Sequence, residues 1–325
     1  MKTNAIRMHE TGGPEVLQWG TIDVERPGPG EVRIRHTAIA LNYADIYYRL
    51  GLYPARLPIV PGNEAAGIVE ELGAGVAEFS VGERVAYVVP ALGAYAEDRV
   101  IPTDRLVRLP ANIEDRHAAA MMMKGLTARY LVCRTFPVKP GDSILVHAAA
   151  GGVGLVLCQW ARHLGATVIG TVGSEAKAAL AREHGCTHII DTTRENVAQR
   201  VSGITAGRGL PVVYDSIGKD TFGVSLDCLA PEGVLVVYGH SSGKVPPFDL
   251  MTLAAKGSLF VTRPTLWTHI TTRVALSDGA SELFDLVTRG IVKINVNQTF
   301  PLKEAARAHR ELESRRTTGA TVLTV

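Results

Sequence analysis

The chain has 325 residues, of which 46% are hydrophobic and 20% are charged. This length exceeds what one hydrophobic core usually supports, and the composition excludes a disordered chain, so we expect a globular protein of two domains. The 34 basic and 32 acidic side chains leave a formal charge of +2 without a basic stripe, which argues against nucleic acid as a partner.

The N-terminal part of the chain is broken up by glycine and proline. Up to about residue 110 these residues interrupt short stretches that are rich in β-forming side chains. Pro27-Gly28-Pro29-Gly30 is one such interruption, and Val32-Arg33-Ile34-Arg35 is one such stretch. Short strands between frequent turns predict an irregular, β-rich domain.

From Lys139 onward, apolar runs of four to six residues alternate with amphipathic stretches of helical length. This alternation is typical of βαβ units, so we predict an α/β fold class with a doubly wound parallel sheet. The six predicted strands cover residues 143–147, 167–172, 188–190, 212–215, 234–238 and 258–261.

The C-terminal tail after Arg263-Pro264 is too short to fold alone. It predicts a long helix around 266–289, a helix near 303–313 and a terminal strand at 321–325. We therefore expect a β-rich domain at 1–125 that is completed by 264–325, and a nucleotide-binding domain at 126–263.

A glycine turn lies between the first predicted strand of the parallel sheet and the helix that follows it. Its pattern, Ala149-x-Gly151-x-x-Gly154, is a variant of the dinucleotide fingerprint with alanine in place of the first glycine. Such a turn lets backbone N–H groups at a helix N-terminus approach a pyrophosphate. The predicted contacts are Gly151, Gly152, Val153 and Gly154.

The residues after the second strand of this sheet indicate which dinucleotide is bound. NAD enzymes usually carry an acid there, which binds the adenosine ribose hydroxyls, but this chain has Gly173-Ser174. Glycine and serine offer donors to a 2′-phosphate, and Lys177 adds positive charge at the start of the next helix. We therefore predict NADPH as the cofactor in preference to NADH.

The cysteines and the N-terminus predict a cytoplasmic protein. The first residues carry charges without a following apolar signal core, and the longest uncharged apolar run is shorter than the ~20 residues that a membrane helix needs. The four cysteines match the spacing of neither a zinc site nor a redox pair, so we expect reduced thiols: Cys133, Cys158, Cys186 and Cys228.

Several segments together resemble one family over essentially the whole chain, the zinc-free quinone oxidoreductases (zeta-crystallin-like) of the medium-chain dehydrogenase/reductase superfamily. The resemblance implies a GroES-like N-terminal domain, a Rossmann domain, NADPH as reductant and a homodimer formed through the last Rossmann strand, from Ser258 to Val261. The segments that carry it are Asn42-Tyr43-Ala44-Asp45, Pro61-Gly62-Asn63-Glu64-Ala65-Ala66-Gly67, Lys124-Gly125-Leu126-Thr127-Ala128, Ala148 to Gly154 and Tyr238-Gly239-His240-Ser241-Ser242-Gly243.

The chain departs from the zinc-dependent alcohol dehydrogenases of the same superfamily. Those enzymes hold catalytic zinc with an early cysteine and with the histidine of a Gly-His-Glu motif. Here the corresponding places carry Asn42-Tyr43-Ala44-Asp45 and Gly62-Asn63-Glu64, so a tetrahedral zinc site cannot be assembled and we predict no metal. Without a Lewis acid, a self-activated acceptor such as a quinone or an enone is favoured over an alcohol.

The resemblance also implies roles for individual residues. Asn42, Tyr47 and Tyr53 line the cleft near the nicotinamide, where an amide N–H and phenolic O–H groups can meet the acceptor oxygen. An arginine of the family binds the 2′-phosphate at the position of Arg315, although the adjacent Arg316 leaves the register open. The remaining predicted cofactor contacts are Thr127, Tyr130, Gly239, Ser241, Phe260 and Thr262.

One departure concerns the adenine side of the cofactor. Where bacterial relatives have tyrosine in an Asn-Tyr-Arg segment after the third Rossmann strand, this chain has Asp191-Thr192-Thr193-Arg194. Adenine packing is therefore expected to differ, with Arg194 as a substitute.

Three functions remain open from the sequence. The first is NADPH:quinone oxidoreductase activity, with hydride or single-electron delivery left undecided. The second is an NADPH-dependent enone or alkenal reductase, which shares every motif named above. The third, from a different class, is a non-catalytic crystallin-like or RNA-binding protein.

Overall fold

The computed structural model describes all 325 residues, which form two compact units. The first unit comprises residues 1–123, 270–288 and 294–325, and the second comprises 124–269 and 289–293. This division gives residues 124–125, 264–269 and 289–293 to the second unit, whereas the sequence-based ranges placed these segments with the first.

The chain forms fifteen strands and ten α-helices. The strands are β1 (Lys2–Arg7), β2 (Gln18–Asp23), β3 (Glu31–Leu41), β4 (Glu64–Leu72), β5 (Arg84–Val88), β6 (Asp98–Pro102), β7 (Leu106–Arg108), β8 (Ser143–Val146), β9 (Thr167–Val172), β10 (His188–Asp191), β11 (Leu210–Asp215), β12 (Leu229–Val237), β13 (Phe260–Thr262), β14 (Val296–Pro301) and β15 (Ala320–Thr324). The helices are α1 (Tyr43–Arg49), α2 (Asp115–Tyr130), α3 (Gly152–His163), α4 (Glu175–Glu183), α5 (Val197–Thr205), α6 (Phe222–Asp227), α7 (Met251–Ala255), α8 (Leu266–His269), α9 (Arg273–Thr288) and α10 (Ala305–Glu313). No helix has both the length and the apolar character that crossing a membrane would require.

The first unit contains a seven-stranded sheet in the order β14-β15-β3-β4-β5-β7, with β6 also paired to β3. Along β3 the side chains alternate: Val32 and Ile34 are fully buried, while Arg33 forms an ion pair with Glu71 of β4 at 3.3 Å. Strand alternation of this kind buries one face of a sheet and leaves the other polar. Strands β3 and β4 run antiparallel, so the end of β3 lies beside the start of β4.

The second unit contains a six-stranded parallel sheet in the order β10-β9-β8-β11-β12-β13. This confirms the predicted doubly wound sheet, in which the strand order reverses between β8 and β11. The last strand begins at Phe260 instead of residue 258, because Ser258 has a φ of +59° and forms part of a turn. Leu145, Ile169 and Val213 are fully buried in the core of this unit.

The long helix predicted around 266–289 is wrong in one respect, since the chain there forms α8 and α9 with a break between them. Thr272 lies in the break, and its Oγ1 accepts a hydrogen bond from the N–H of Ala275 at 3.1 Å. A threonine that caps a helix N-terminus in this way ends the preceding helix and starts a new one.

Candidate active site

The glycine turn after β8 is shaped by its backbone. Ala148 has a φ of +52°, and Gly151 is the N-cap of α3. A Cβ on Gly154 would lie 2.4 Å from the carbonyl oxygen of Ala148, which is closer than real Cβ contacts. Because only glycine fits this position, the first turn of α3 packs directly against the turn.

The first turn of α3 is suited to an anion. It contains no acidic residue, and the first N–H groups of a helix have no partner within the helix. Gly151 and Gly152 leave room above these donors, as a pyrophosphate requires. The residues present therefore fit a dinucleotide.

The two residues that follow β9, Gly173 and Ser174, are not acidic, and Ser174 carries a hydroxyl donor. Ser174 is the N-cap of α4, and its Oγ accepts a hydrogen bond from the N–H of Lys177 at 3.4 Å, so its own O–H remains able to donate. A Cβ on Gly173 would meet no atom within 4 Å, which leaves open space at the end of the strand. Glu175, the nearest acid, forms an ion pair with Arg182 at 3.1 Å. This arrangement fits a phosphate better than a ribose hydroxyl pair.

The turn after β12 approaches the backbone of the neighbouring strand. A Cβ on Gly239 would lie 2.6 Å from the carbonyl oxygen of Ser216, and the N–H of Ser241 donates to the same oxygen at 3.2 Å. His240 lies between them, with its Nδ1 3.5 Å from a guanidinium nitrogen of Arg263. Burial, and then the charge of Arg263, lowers the pKa of His240. The sequence motif included His240, but gave no role to it or to Arg263.

Two further predicted contacts lie on α2. Thr127 is buried, and the ring of Tyr130 stacks on His269 with 4.4 Å between centroids and 3° between planes. Burial is the main cause of a lowered pKa of His269, so a neutral imidazole faces the phenol ring.

Phe260 and Thr262, the last two predicted cofactor contacts of the second unit, lie on β13, where Phe260 is 60% exposed.

In the first unit, the predicted acceptor residues lie on and just after α1. The ring of Tyr47 contacts that of Tyr53 edge-on, with 5.2 Å between centroids. The N–H of Tyr53 also donates to the carbonyl oxygen of Tyr47 at 3.1 Å. Asn42 is the N-cap of the same helix. The structure therefore brings the two tyrosines together and holds Asn42 on the element that carries Tyr47.

Asn42 is held by two buried acids, to which the sequence analysis gave no role. Its Nδ2 donates to Oε2 of Glu64 at 2.8 Å, and its backbone N–H donates to Oδ2 of Asp45 at 2.8 Å. Both carboxylates have 0% exposure. One signal was available in the sequence, because Glu64 opens the otherwise apolar stretch Ala65-Ala66-Gly67-Ile68-Val69 and would be costly to bury without partners.

A chain of buried groups continues from Asp45. The Oη of Tyr95 donates to Oδ2 of Asp45 at 3.0 Å and lies 3.2 Å from Nε2 of His309. Arg49 can only donate, so Nδ1 of His309, at 3.3 Å, is the acceptor and Nε2 carries the proton. Burial, and then the charge of Arg49, lowers the pKa of His309 to about 3. The imidazole of His309 therefore stays neutral. Its contacts, together with the ion pair between Arg49 of α1 and Glu313 of α10 at 2.6 Å, hold α1 against α10.

The two positions that hold zinc in related dehydrogenases carry amides here, and each amide is used in the fold. Besides Asn42, Asn63 donates from Nδ2 to the carbonyl oxygens of Val89 at 2.9 Å and Pro90 at 3.0 Å. No group of three or more His, Cys, Asp or Glu side chains is arranged to hold a metal ion.

The two arginines after α10 differ in their contacts. Arg316 donates to Oγ of Ser314 at 3.1 Å and pairs with Glu311 at 3.2 Å. Arg315 has a φ of +59°. Burial raises the pKa of Tyr43, and the positive charge of Arg315 acts in the opposite direction on that pKa. Arg194, in the segment that departs from the family, is mostly exposed and lies 3.9 Å from Asp191. Their predicted cofactor contacts stay predictions.

Two of the cysteines lie together, which their spacing in the sequence did not indicate. The Sγ atoms of Cys158 and Cys186 are 3.4 Å apart, and both residues are buried thiols. The hydrogen bond between them, together with burial, raises the pKa of Cys158 well above its usual value. Buried thiols of this kind are unreactive packing groups.

A parallel nucleotide-binding sheet with an anion-accepting turn, next in sequence to a β-rich domain, defines a nucleotide-dependent dehydrogenase or reductase. Comparison with known proteins agrees with this class. Residues 28–111 match the alcohol dehydrogenase GroES-like domain, and residues 152–268 match the zinc-binding dehydrogenase model. The fold class predicted from the sequence is thus confirmed.

Full-length relatives narrow the class. The chain is 54% identical over 319 residues to a quinone oxidoreductase of Pseudomonas aeruginosa, and 49% identical over 326 residues to a 2-haloacrylate reductase of a Burkholderia species, with 98% of each chain covered. The crystal structure of Escherichia coli quinone oxidoreductase complexed with NADPH matches with a TM-score of 0.97 at 46% identity, covering 99% of this chain and 100% of that one. The chain belongs to the quinone oxidoreductase family of the medium-chain dehydrogenase/reductase superfamily, and it is an oxidoreductase.

Proposed function

We propose that the protein is an NADPH-dependent quinone reductase that works without a metal ion. The observation that carries the proposal is the turn after β9, where Ser174 and Lys177 offer a hydroxyl donor and an ammonium group, and where Gly173 and Ser174 end the strand instead of an acid. The full-length similarity to quinone oxidoreductases, one of them in complex with NADPH, supports the same cofactor and the same acceptor.

The cofactor is assigned to residues that already present donors. The pyrophosphate takes the N–H groups of the first turn of α3, from Gly152 to Gly154, beside the N-cap Gly151, whose own N–H donates to the carbonyl oxygen of Ala148 at 2.9 Å. The 2′-phosphate takes Ser174 and Lys177. Thr127, Tyr130, Gly239, Ser241, Phe260 and Thr262, with Arg315, complete the proposed contact set. When bound, NADPH supplies the reducing equivalents, and a proton from solvent completes the hydroquinone.

The acceptor is assigned to the first unit. Tyr47 and Tyr53 present two rings in edge contact, which suits a planar conjugated acceptor, and their phenol groups are able to donate. Asn42 offers an amide N–H to the acceptor oxygen, where negative charge develops during reduction. Amides at positions 42 and 63 are poor zinc ligands, so hydrogen bonds take the place of a Lewis acid.

A second candidate is reduction of an activated carbon–carbon double bond, as in an enone, an alkenal or a 2-haloacrylate. The 49% identity to a 2-haloacrylate reductase over 98% of the chain favours it. The same donors would meet the carbonyl oxygen of such an acceptor.

The two candidates are separated by NADPH oxidation with 1,4-benzoquinone, 9,10-phenanthrenequinone, 2-chloroacrylate and a 2-alkenal. We expect turnover with the quinones, unchanged after treatment with a zinc chelator. Activity on the alkenal or the haloacrylate alone would overturn the quinone assignment, and loss of activity on chelation would overturn the metal-free site.

We also propose a cytoplasmic homodimer formed through β13. This strand is at the open edge of the parallel sheet, and an exposed edge with unpaired backbone groups is a template for pairing with another strand. Phe260 adds a large exposed apolar side chain to the edge. The four free thiols suit a reducing compartment.

Sedimentation equilibrium tests the dimer. We expect twice the 34.8 kDa mass of one chain, and the single-chain mass for Phe260→Glu. A wild-type protein that sediments at the mass of one chain would contradict the proposal, and so would a Phe260→Glu variant that keeps the doubled mass.

A further inference from the structure

Glu64 is a fully buried acid near the proposed acceptor site. It has 0% exposure, and a carboxylate that is removed from water is costly unless donors satisfy its oxygens. Oε2 accepts from Nδ2 of Asn42 at 2.8 Å, and Oε1 accepts from the N–H of Met123 at 2.6 Å. Other acids of the same strand, such as Glu71, lie at the surface and pair with arginines. The contacts of Glu64 are therefore directed inward, toward Asn42.

The contact fixes which end of the Asn42 amide faces Glu64. Because Oε2 of Glu64 accepts from Nδ2 of Asn42, the amide nitrogen faces the carboxyl group and the amide oxygen faces away. The backbone of Asn42 is fixed as well, through its N–H bond to Asp45. One amide N–H is used by Glu64, and the second N–H keeps a defined direction.

We propose that Glu64 is a positioning residue for Asn42: it holds the amide in the one orientation that presents the second N–H to the acceptor oxygen. This inference rests on the proposed role of Asn42 in acceptor binding. A side chain whose rotamer is locked by a second group loses less entropy in the transition state and keeps its donor in place.

The geometry predicts that Glu64→Gln breaks a hydrogen bond in the wild type and restores hydrogen bonds in the Asn42→Asp variant. In Glu64→Gln, one amide cannot accept both from Asn42 and from Met123, so a donor faces a donor. In Asn42→Asp, two carboxylates face each other and repel. When both changes are combined, the introduced glutamine accepts from the Met123 N–H and donates to the introduced aspartate, which restores both hydrogen bonds with their polarity reversed at position 42.

The experiment measures kcat and KM for the acceptor, the NADPH dissociation constant and the melting temperature of Glu64→Gln, Asn42→Asp and the double variant. Glu71→Gln, on the same strand, is the matched control and is expected to match the wild type. We expect Glu64→Gln to lower kcat about tenfold and to change the NADPH dissociation constant less than twofold. We expect Asn42→Asp to lose at least a hundredfold in kcat. The added Glu64→Gln should restore the melting temperature but not kcat, because aspartate has no N–H to present to the acceptor oxygen.

A contact that only stabilises the fold predicts that kcat returns together with the melting temperature, so a double variant with near-wild-type kcat would overturn the proposal. A Glu64→Gln variant with wild-type kcat would overturn it as well. If Glu64→Gln alone does not fold, the comparison of Asn42→Asp with the double variant still decides. The assays use whichever acceptor, quinone or alkenal, the wild type reduces faster. That choice tests the proposed function, whereas a melting temperature that recovers in the double variant without kcat tests the role of Glu64.

Discussion

The two units build their candidate sites from different material. In the second unit the part of the site proposed for the pyrophosphate is backbone: N–H groups at the start of α3, a left-handed Ala148 and a glycine that packs against it. In the first unit the site is a set of buried side chains, in which Asn42 depends on Glu64 and Asp45. A backbone site should fail when a side chain is added, and a side-chain site when a donor or an acceptor is changed. The four predictions below test this difference.

The largest effect is expected where a methyl group would meet the backbone. In Gly154→Ala the new Cβ would lie 2.4 Å from the Ala148 carbonyl oxygen, so the turn must shift. We expect the NADPH dissociation constant to rise at least a hundredfold, about 2.7 kcal/mol, in a fluorescence titration. Gly203→Ala in α5, where nothing lies within 4 Å of the added Cβ, is the control. Similar affinities for the two variants would refute a backbone site.

A smaller effect is expected on the stability of the first unit when the pH is lowered. Because the pKa of His309 is about 3 in the folded protein and about 6.5 in the unfolded chain, the unfolded state binds the proton more tightly. Stability is therefore complete above pH 6.5 and falls as the pH is lowered, by about 2 kcal/mol at pH 5 for this group.

Glutamine at position 309 can accept from Arg49 and donate to Tyr95 without titrating. Urea unfolding at pH 7.5 and pH 5 should thus show that the wild type loses about 2 kcal/mol more than His309→Gln. Equal losses would mean that His309 is not a buried neutral group.

A roughly tenfold effect is expected from the ammonium group at the proposed phosphate site. Lys177→Ala removes one charge-assisted hydrogen bond, which contributes about 1.5 kcal/mol, from NADPH but not from NADH. The dissociation constants of Lys177→Ala for NADPH and NADH should therefore differ less than those of the wild type. Arg116→Ala, which removes an exposed positive charge from α2, is the control and should leave the ratio unchanged. A Lys177→Ala variant with the wild-type ratio would remove Lys177 from the site.

The smallest effect is expected at Ala148. Its left-handed backbone is strained for any residue with a Cβ, so Ala148→Gly should raise the free energy of unfolding by about 0.5 kcal/mol. Gly165→Ala should act in the opposite direction, because Gly165 has a φ of +89° and its added Cβ would lie 3.1 Å from Pro140. Urea unfolding of the pair measures both changes, and a shared sign would contradict the argument from backbone strain.

The same difference explains what could be predicted from the sequence. The parallel sheet was predicted because its buried strands are continuous apolar runs, and the nucleotide turn because glycine marks backbone geometry directly. The pair of Asn42 and Glu64 was missed because the two residues are 22 positions apart and meet only through the pairing of β3 with β4. The break between α8 and α9 was missed because a single capping threonine decided it.

The central claim is that the cofactor is recognised by its 2′-phosphate at a site built from Ser174 and Lys177. The most direct test is equilibrium titration of the wild-type protein with NADPH and with NADH under identical salt. We predict that NADPH binds about a hundredfold more tightly, since two donors at about 1.5 kcal/mol each contribute that difference. Equal affinities, or tighter binding of NADH, would contradict the account.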